Sequence, residues 1–134
     1  MYYYLGKTSK RRRDTCTPRI ITFCNELIKV VDFTVLCGHR GEKAQNKAYN
    51  STPKRSSKEW PNSLHNRYPS PAIDLAPYPV DWDDEYRFAY FAGQAMQLAR
   101  SLGIELIWGG DWDSDLYVKE HRLIDMPHFQ EANY

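Results

Sequence analysis

Residues 63–75 read SLHNRYPSPAIDL. The stretch sets His65 and Asp74 at the two ends of a loop too rich in Pro, Ser and Asn to propagate a helix. Ala72 to Leu75 suits a brief strand that Pro77 and Pro79 close, because proline cannot keep donating to a ladder. Asp74 is therefore expected on regular structure, with His65 delivered by the loop before it. A partner of similar chemistry comes late in the chain, in DMPHFQ at 125–130. There the alternation of Leu123, Asp125, Pro127 and Phe129 predicts a final extended segment carrying His128.

Outward from this stretch the chain alternates helical and extended patterns. Thr17 followed by Pro18 is a helix start, with a capping hydroxyl and then the residue whose missing N–H is harmless in the first turn. Ile20, Ile21, Cys24, Leu27, Ile28 and Val31 follow at helical spacing, which predicts a helix over 17–31. Phe33 to Leu36 is a β-branched and aromatic run ended by Gly38, a buried strand that brings His39 and Arg40 to its end. GEKAQNKAYN continues as a short, mostly polar helix, and residues 50–71 form a long irregular connection of a kind that is usually functional. Asp83, Asp84 and Glu85 then place negative charge in the first turn of a helix over 83–102 that Gly103 stops. Ile104 to Trp108 reads as a strand and Gly109 to Ser114 as a turn-rich loop.

At 134 residues the chain has the length of one domain, 1–134, with a single core. Eighteen basic side chains against 17 acidic ones give no electrostatic case for a nucleic-acid partner. Cys16, Cys24 and Cys37 are odd in number and lack CxxC spacing, so free thiols in a reducing compartment are expected in place of a disulfide framework. No stretch approaches the length of a membrane span, and the start, MYYYLGKTSKRRRD, is not laid out as a signal peptide. Synthesis in the cytoplasm, no stable membrane insertion and a monomer are the expectations. Lys10 to Arg13, the basic cluster, reads first as a solvated surface.

The chemistry-bearing residues are His65, Asp74 and His128. A catalytic zinc keeps three protein ligands from His, Asp or Glu and leaves a fourth position for water. Asp125, three residues before His128 on a proline-stiffened segment, is placed to act as the proton-transferring carboxylate, whereas Glu120 and Glu131 have no such anchoring. Arg40, an always-charged planar guanidinium at a strand end, suits a carbonyl oxygen gaining negative charge or a substrate carboxylate. Its plainer reading is a surface ion pair. Asp111, Asp113 and Asp115 alternate like part of a calcium loop but lack its glycine and terminal glutamate, and read as an acidic solvent-facing loop. His39 and His121 read as packing or surface residues. Trp60, Trp82, Trp108 and Trp112 suit either a cleft lining or the closing of a small core.

Taken together, SLHNRYPSPAID resembles the S-x-H…A-x-D signature of the M15 zinc peptidases, a family of D-alanyl-D-alanine carboxypeptidases, dipeptidases and L-alanyl-D-glutamate peptidases used as phage endolysins. CGHR at 37–40, Gln45, WGGDWD at 108–113 and DMPHF at 125–129 extend the likeness across most of the chain. The resemblance implies an α+β, Hedgehog/DD-peptidase-like fold: a small, mostly antiparallel sheet packed with helices around a zinc site. It implies His65, Asp74 and His128 as Zn2+ ligands, Asp125 as catalytic base, Arg40 as oxyanion or carbonyl stabiliser, and Ser63 and Gln45 as substrate contacts. One departure stands out: the family usually places six residues, commonly with a glycine, between its first histidine and aspartate, whereas eight intervene here with Pro69 and Pro71 and no glycine. A bulged loop that keeps both ends in place is the expectation.

The substrate so implied is the peptide stem of peptidoglycan. The preferred reading is an L-alanyl-D-glutamate endopeptidase serving as a phage endolysin, made in the host cytoplasm and acting on the cell wall after release. A D-alanyl-D-alanine carboxypeptidase or dipeptidase is the enzymatic alternative. A non-catalytic, zinc-stabilised module that holds a wall peptide or a protein is the alternative from another class.

Overall fold

The structure is a computed structural model and describes residues 2–118 and 124–134. Four helices, α1 (Lys7–Arg13), α2 (Pro18–Leu27), α3 (Glu42–Asn50) and α4 (Glu85–Ser101), accompany four strands, β1 (Phe33–Cys37), β2 (Ala72–Pro77), β3 (Leu106–Trp108) and β4 (His128–Glu131). The strands form one antiparallel sheet in the order β1-β2-β4-β3. The expected α+β class and antiparallel sheet are both observed. Among the described residues no helix is long and apolar enough to cross a membrane.

Burial follows the two periodicities. Ile20, Phe23, Cys24 and Leu27 form one buried stripe of α2, and Phe88, Phe91, Ala92, Ala95 and Ala99 form one of α4. Both face Val35, Ile73, Leu75 and Phe129 of the sheet, which are fully buried. Phe129 sits at the centre, with its ring 6.1 Å from that of Phe23 and 6.2 Å from that of Phe91. Because neighbouring residues of a strand point to opposite faces, the same register turns Asp74 and His128 away from this core. They are direct cross-strand partners, Asp74 beside His128 and Ile73 beside Phe129.

Several boundaries differ from expectation for identifiable reasons. The helix begun at Pro18 ends at Leu27, not 31, as Lys29 and Val30 shift to three-residue hydrogen bonds onto Glu26 and Leu27 and the chain turns toward β1. The Thr17 hydroxyl does not cap it but donates to buried Glu131 Oε2 at 2.6 Å, tying the start of α2 to β4. β3 starts at Leu106 because the Ile104 N–H is spent on the Ala99 carbonyl at the end of α4. β4 starts at His128, since Met126 and Pro127 form a turn closed by His128 N–H to the Asp125 carbonyl; Leu123 lies outside the described residues. SLHNR contains a single 3-10 turn at Leu64–Asn66, where a loop without helix was expected.

The basic cluster does more than face solvent. Lys10 to Arg13 belong to α1, which covers the edge of β1: the Val35 N–H donates to Ser9 Oγ at 3.0 Å and Arg12 Nη1 donates to the Val35 carbonyl at 3.0 Å. The backbone groups of an edge strand are thereby occupied. Arg13 reaches Asn25 and Asp14. Lys10, Arg11 and Arg12 are nonetheless exposed, as a solvated surface implies.

Candidate metal centre

His65 enters the site on the 3-10 turn. Ser63 caps that turn, its Oγ accepting from His65 N–H at 3.3 Å while Asn66 Oδ1 accepts from Ser63 N–H at 3.1 Å. The imidazole is oriented by a backbone group, Nδ1–H donating to the Gly38 carbonyl at 2.7 Å. Gly38 must be glycine because a Cβ there would lie under 3.0 Å from Arg12 O and Thr15 Oγ1 and 3.0 Å from Cys16 Sγ. The junction between α1 and α2 thus presses on the residue that aims His65.

The eight-residue loop between His65 and Asp74 does bulge. Fully buried Ser70 pins it: Ser70 N–H donates to Thr15 O at 2.9 Å, Ser70 O accepts from Thr17 N–H at 2.9 Å, and Ser70 Oγ donates to Ala72 O at 2.7 Å. With the detour anchored, Asp74 keeps its place in β2.

Three atoms converge. His65 Nε2 lies 3.2 Å from Asp74 Oδ1 and 3.3 Å from His128 Nδ1, and His128 Nδ1 lies 3.2 Å from Asp74 Oδ1. A tetrahedral ion with bonds of about 2.0–2.2 Å separates its donors by about 3.3–3.6 Å, close to this triangle. Proton placement argues the same way. The Gly38 carbonyl can only accept, so neutral His65 carries its hydrogen on Nδ1 and turns a bare lone pair inward. His128 Nε2 sits 2.9 Å from Gln130 Oε1, which places that hydrogen outward too and leaves Nδ1 bare. Two lone pairs and a carboxylate facing one point fit a cation. These three residues could hold a metal ion.

The negative charge of Asp74 also favours the protonated form of His65. Burial alone would lower the pKa of His65, but the Asp74 charge and hydrogen bond outweigh it and push it up to about 10. Burial likewise opposes ionisation of Asp74, and His65 with His128 overcome it and hold the carboxyl well below the usual carboxylate range.

Asp125 stands beside this triangle. Its N–H donates to Gly109 O at 2.8 Å, and a Cβ on Gly109 would overlap the Asp125 carbonyl, so WGG at 108–110 is shaped to admit it. Burial raises the Asp125 pKa, as does the Asp74 charge, against the pull of His128, His65 and Arg40. Arg40 therefore acts on the same carboxyl. Its N–H donates to the His65 carbonyl at 2.7 Å, and its Nε is buried without a hydrogen-bond partner among the described residues. An unpaired buried donor of this kind asks for an explanation.

Several of the other expected residues are engaged within the fold. The Ser63 hydroxyl is engaged by the turn, and Gln45 is fully buried with Nε2 donating to Ser56 Oγ at 2.8 Å and Oε1 accepting from Asn66 at 3.0 Å. His39 bonds Arg67 O through Nδ1 and lies edge-on to Tyr68. Glu120 and His121 lie outside the described residues, and Glu131 faces Thr17 at the core side. Trp108 is core, its Nε1 donating to Met126 O, whereas the Trp112 ring lies 5.3 Å from that of His128 and borders the site. Asp113 and Asp115 are exposed, as a solvent-facing loop implies, whereas Asp111 is buried; one carboxylate oxygen of each lies within 4.8 Å of the others. Sequence reasoning missed the Gly38 carbonyl, Gln130 and Asn66; only Gln130 left a signal, two residues on from His128 on the same strand face.

Fold and site define a small α+β domain whose antiparallel sheet presents one His2Asp centre with an acid and a guanidinium beside it. The model of the phage L-alanyl-D-glutamate peptidase family matches residues 1–131, and the chain belongs to that family. It is 30% identical over 121 residues to the L-alanyl-D-glutamate peptidase of Escherichia phage T5, covering 85% of each chain. The crystal structure of the L-Ala D-Glu endopeptidase ChiX from Serratia marcescens shares the fold, with a TM-score of 0.71 at 23% identity over 96% of this chain and 90% of that one.

Proposed function

We propose that this chain is a zinc-dependent L-alanyl-D-glutamate endopeptidase that cuts the peptide stem of peptidoglycan and serves as a phage endolysin. The observation that carries the metal is the inward triangle of His65 Nε2, Asp74 Oδ1 and His128 Nδ1, spaced at 3.2–3.3 Å. Family membership and the phage T5 relative support the bond cut.

His65, Asp74 and His128 would hold the ion. It supplies Lewis acidity, which makes water nucleophilic near neutral pH and polarises a carbonyl. Asp125 accepts the proton of the attacking water on its carboxylate and passes it to the departing D-Glu nitrogen; its raised pKa suits a group that must both take and return a proton. The Arg40 guanidinium faces the carbonyl oxygen as negative charge builds on it. L-Ala leaves with a new carboxylate and D-Glu with a new amine, so one water is consumed per bond. Synthesis in the host cytoplasm followed by action on the wall belongs to the same reading.

Mass spectrometry of fragments released from purified peptidoglycan tests it, with and without a chelator and after zinc is restored. The expected product carries a new N-terminal D-Glu, disappears with chelator and returns with zinc. Release of single D-Ala would instead identify a carboxypeptidase, and a chelator-resistant product would remove the metal.

A further inference from the structure

The Arg40 backbone is held on both sides. Its N–H donates to the His65 carbonyl at 2.7 Å, and its own carbonyl accepts from Asn66 Nδ2 at 3.0 Å. The same Nδ2 donates to Gln45 Oε1 at 3.0 Å, and Asn66 Oδ1 accepts from Ser63 N–H at 3.1 Å. Gln45 in turn is fixed by donating to Ser56 Oγ and to the Lys58 carbonyl. Asn66 and Gln45 are buried, with relative exposures of 8% and 0%. Meanwhile Arg40 Nε is buried without a hydrogen-bond partner among the described residues.

We infer that Asn66, backed by Gln45, is a positioning residue that locks the Arg40 backbone to the turn bearing His65 and thereby sets the guanidinium against the reacting carbonyl. The inference rests on the reading of Arg40 given under Proposed function. The amide is chemically required: Asn66 must donate to two oxygens, Arg40 O and Gln45 Oε1, while accepting from Ser63 N–H. Aspartate has the same shape and keeps only the accepting half. It would set a carboxylate oxygen against two carbonyl oxygens and drive Arg40 away. Small misplacements of a positioned group are costly, about 10- to 100-fold in rate for shifts on the order of 1 Å.

The test is a double-mutant cycle in kcat and KM on a stem-peptide substrate, using zinc-loaded Asn66→Asp, Arg40→Ala and the double variant, with zinc content measured on each. Asn66→Asp should lower kcat about 10- to 100-fold with the zinc content of the unaltered protein. In the Arg40→Ala background the same change should cost less than about twofold, because its effect passes through Arg40. Multiplying losses, or unchanged kcat in Asn66→Asp, would overturn the inference and leave the role of Arg40 standing. Full activity in Arg40→Ala would remove that role and this inference with it. Should Asn66→Asp not fold, Gln45→Met removes the backing without adding a charge, and the same cycle with it expects a smaller kcat loss, about 3- to 10-fold, that again vanishes with Arg40→Ala.

Discussion

Replacing Gly38 by alanine should loosen the metal centre without altering any ligand. The added methyl lands under 3.0 Å from Arg12 O and Thr15 Oγ1 and 3.0 Å from Cys16 Sγ. Arg12 O is backbone and cannot move by a rotamer change, and Thr15 Oγ1 is committed to His39 N–H at 2.8 Å. The backbone at Gly38 must therefore give way, carrying with it the carbonyl that holds His65 Nδ1 at 2.7 Å. Overpacking of this kind costs about 1–3 kcal/mol. For a domain of this length that is a fall in Tm of about 4–12 °C. Loss of an orienting partner to a ligand histidine weakens metal binding about 10- to 100-fold, or about 1.4–2.8 kcal/mol. Competition with a chromophoric chelator measures the zinc affinity and thermal unfolding of the chelated protein measures the fold. Gly93→Ala is the control: nothing lies within 4 Å of its added Cβ in α4. It should leave zinc affinity unchanged and raise stability by up to about 1 kcal/mol. Zinc affinity in Gly38→Ala within twofold of the unaltered protein would refute the idea that the α1–α2 junction aims His65.

Other changes separate the parts of the site and the fold. Asp125→Asn should keep zinc and lose about 10²- to 10⁴-fold in kcat, read from D-Glu amine release; retained cleavage removes Asp125 from proton transfer. Thr17→Val removes the hydroxyl from which buried Glu131 Oε2 accepts at 2.6 Å, leaving that carboxylate only the Arg19 guanidinium 3.8 Å from Oε1 among the described residues, and should cost about 1–3 kcal/mol in urea unfolding. Burial pushes the Cys16 thiol up to about 12, and raises that of Cys24 as well. In the unfolded chain both ionise near about 8.5, so as pH climbs from there toward 12 the unfolded state gains and stability must fall. At pH 8 a thiol reagent should label half-buried Cys37 in the native protein and reach Cys16 and Cys24 only on unfolding; native labelling of all three would contradict their burial.

The parts of the fold legible in the sequence are those where one periodicity decides. The stripe of α2, the long α4 and the cores of β1 and β2 each carry apolar residues at a single spacing, and each was expected within a few residues of where it lies. α1 was not, because its work is polar: Ser9 and Arg12 meet the edge of β1, and no apolar stripe marks KTSKRRR as a covering helix. The helix ends were set by long-range or capping bonds a local pattern cannot carry, as in Ile104 N–H turning back to Ala99 and the Thr17 hydroxyl leaving its own helix for β4.

The site divides along the same line. Residue types at motif spacing mark His65, Asp74 and His128, since under the proposed reading metal chemistry restricts what can stand there. What holds them is less restricted, so it leaves little trace. The loop SLHNRYPSPAID shows why. A detour of eight residues in place of six would displace Asp74 if the chain between were free, yet β2 pairs with both β1 and β4 through Asp74 and its neighbours. The extra length must therefore go outward and be held at its root, and Ser70 does so by bonding Thr15 and Thr17 on both sides of its peptide. The same Thr15 supplies the hydroxyl that crowds Gly38 and holds His39 N–H. One short segment, residues 15–17, thus anchors the carbonyl that orients the first ligand and the loop that leads to the second. A substitution there would reach the candidate metal centre from outside the motif, through the Thr15 hydroxyl on His39 N–H and the backbone bonds to Ser70.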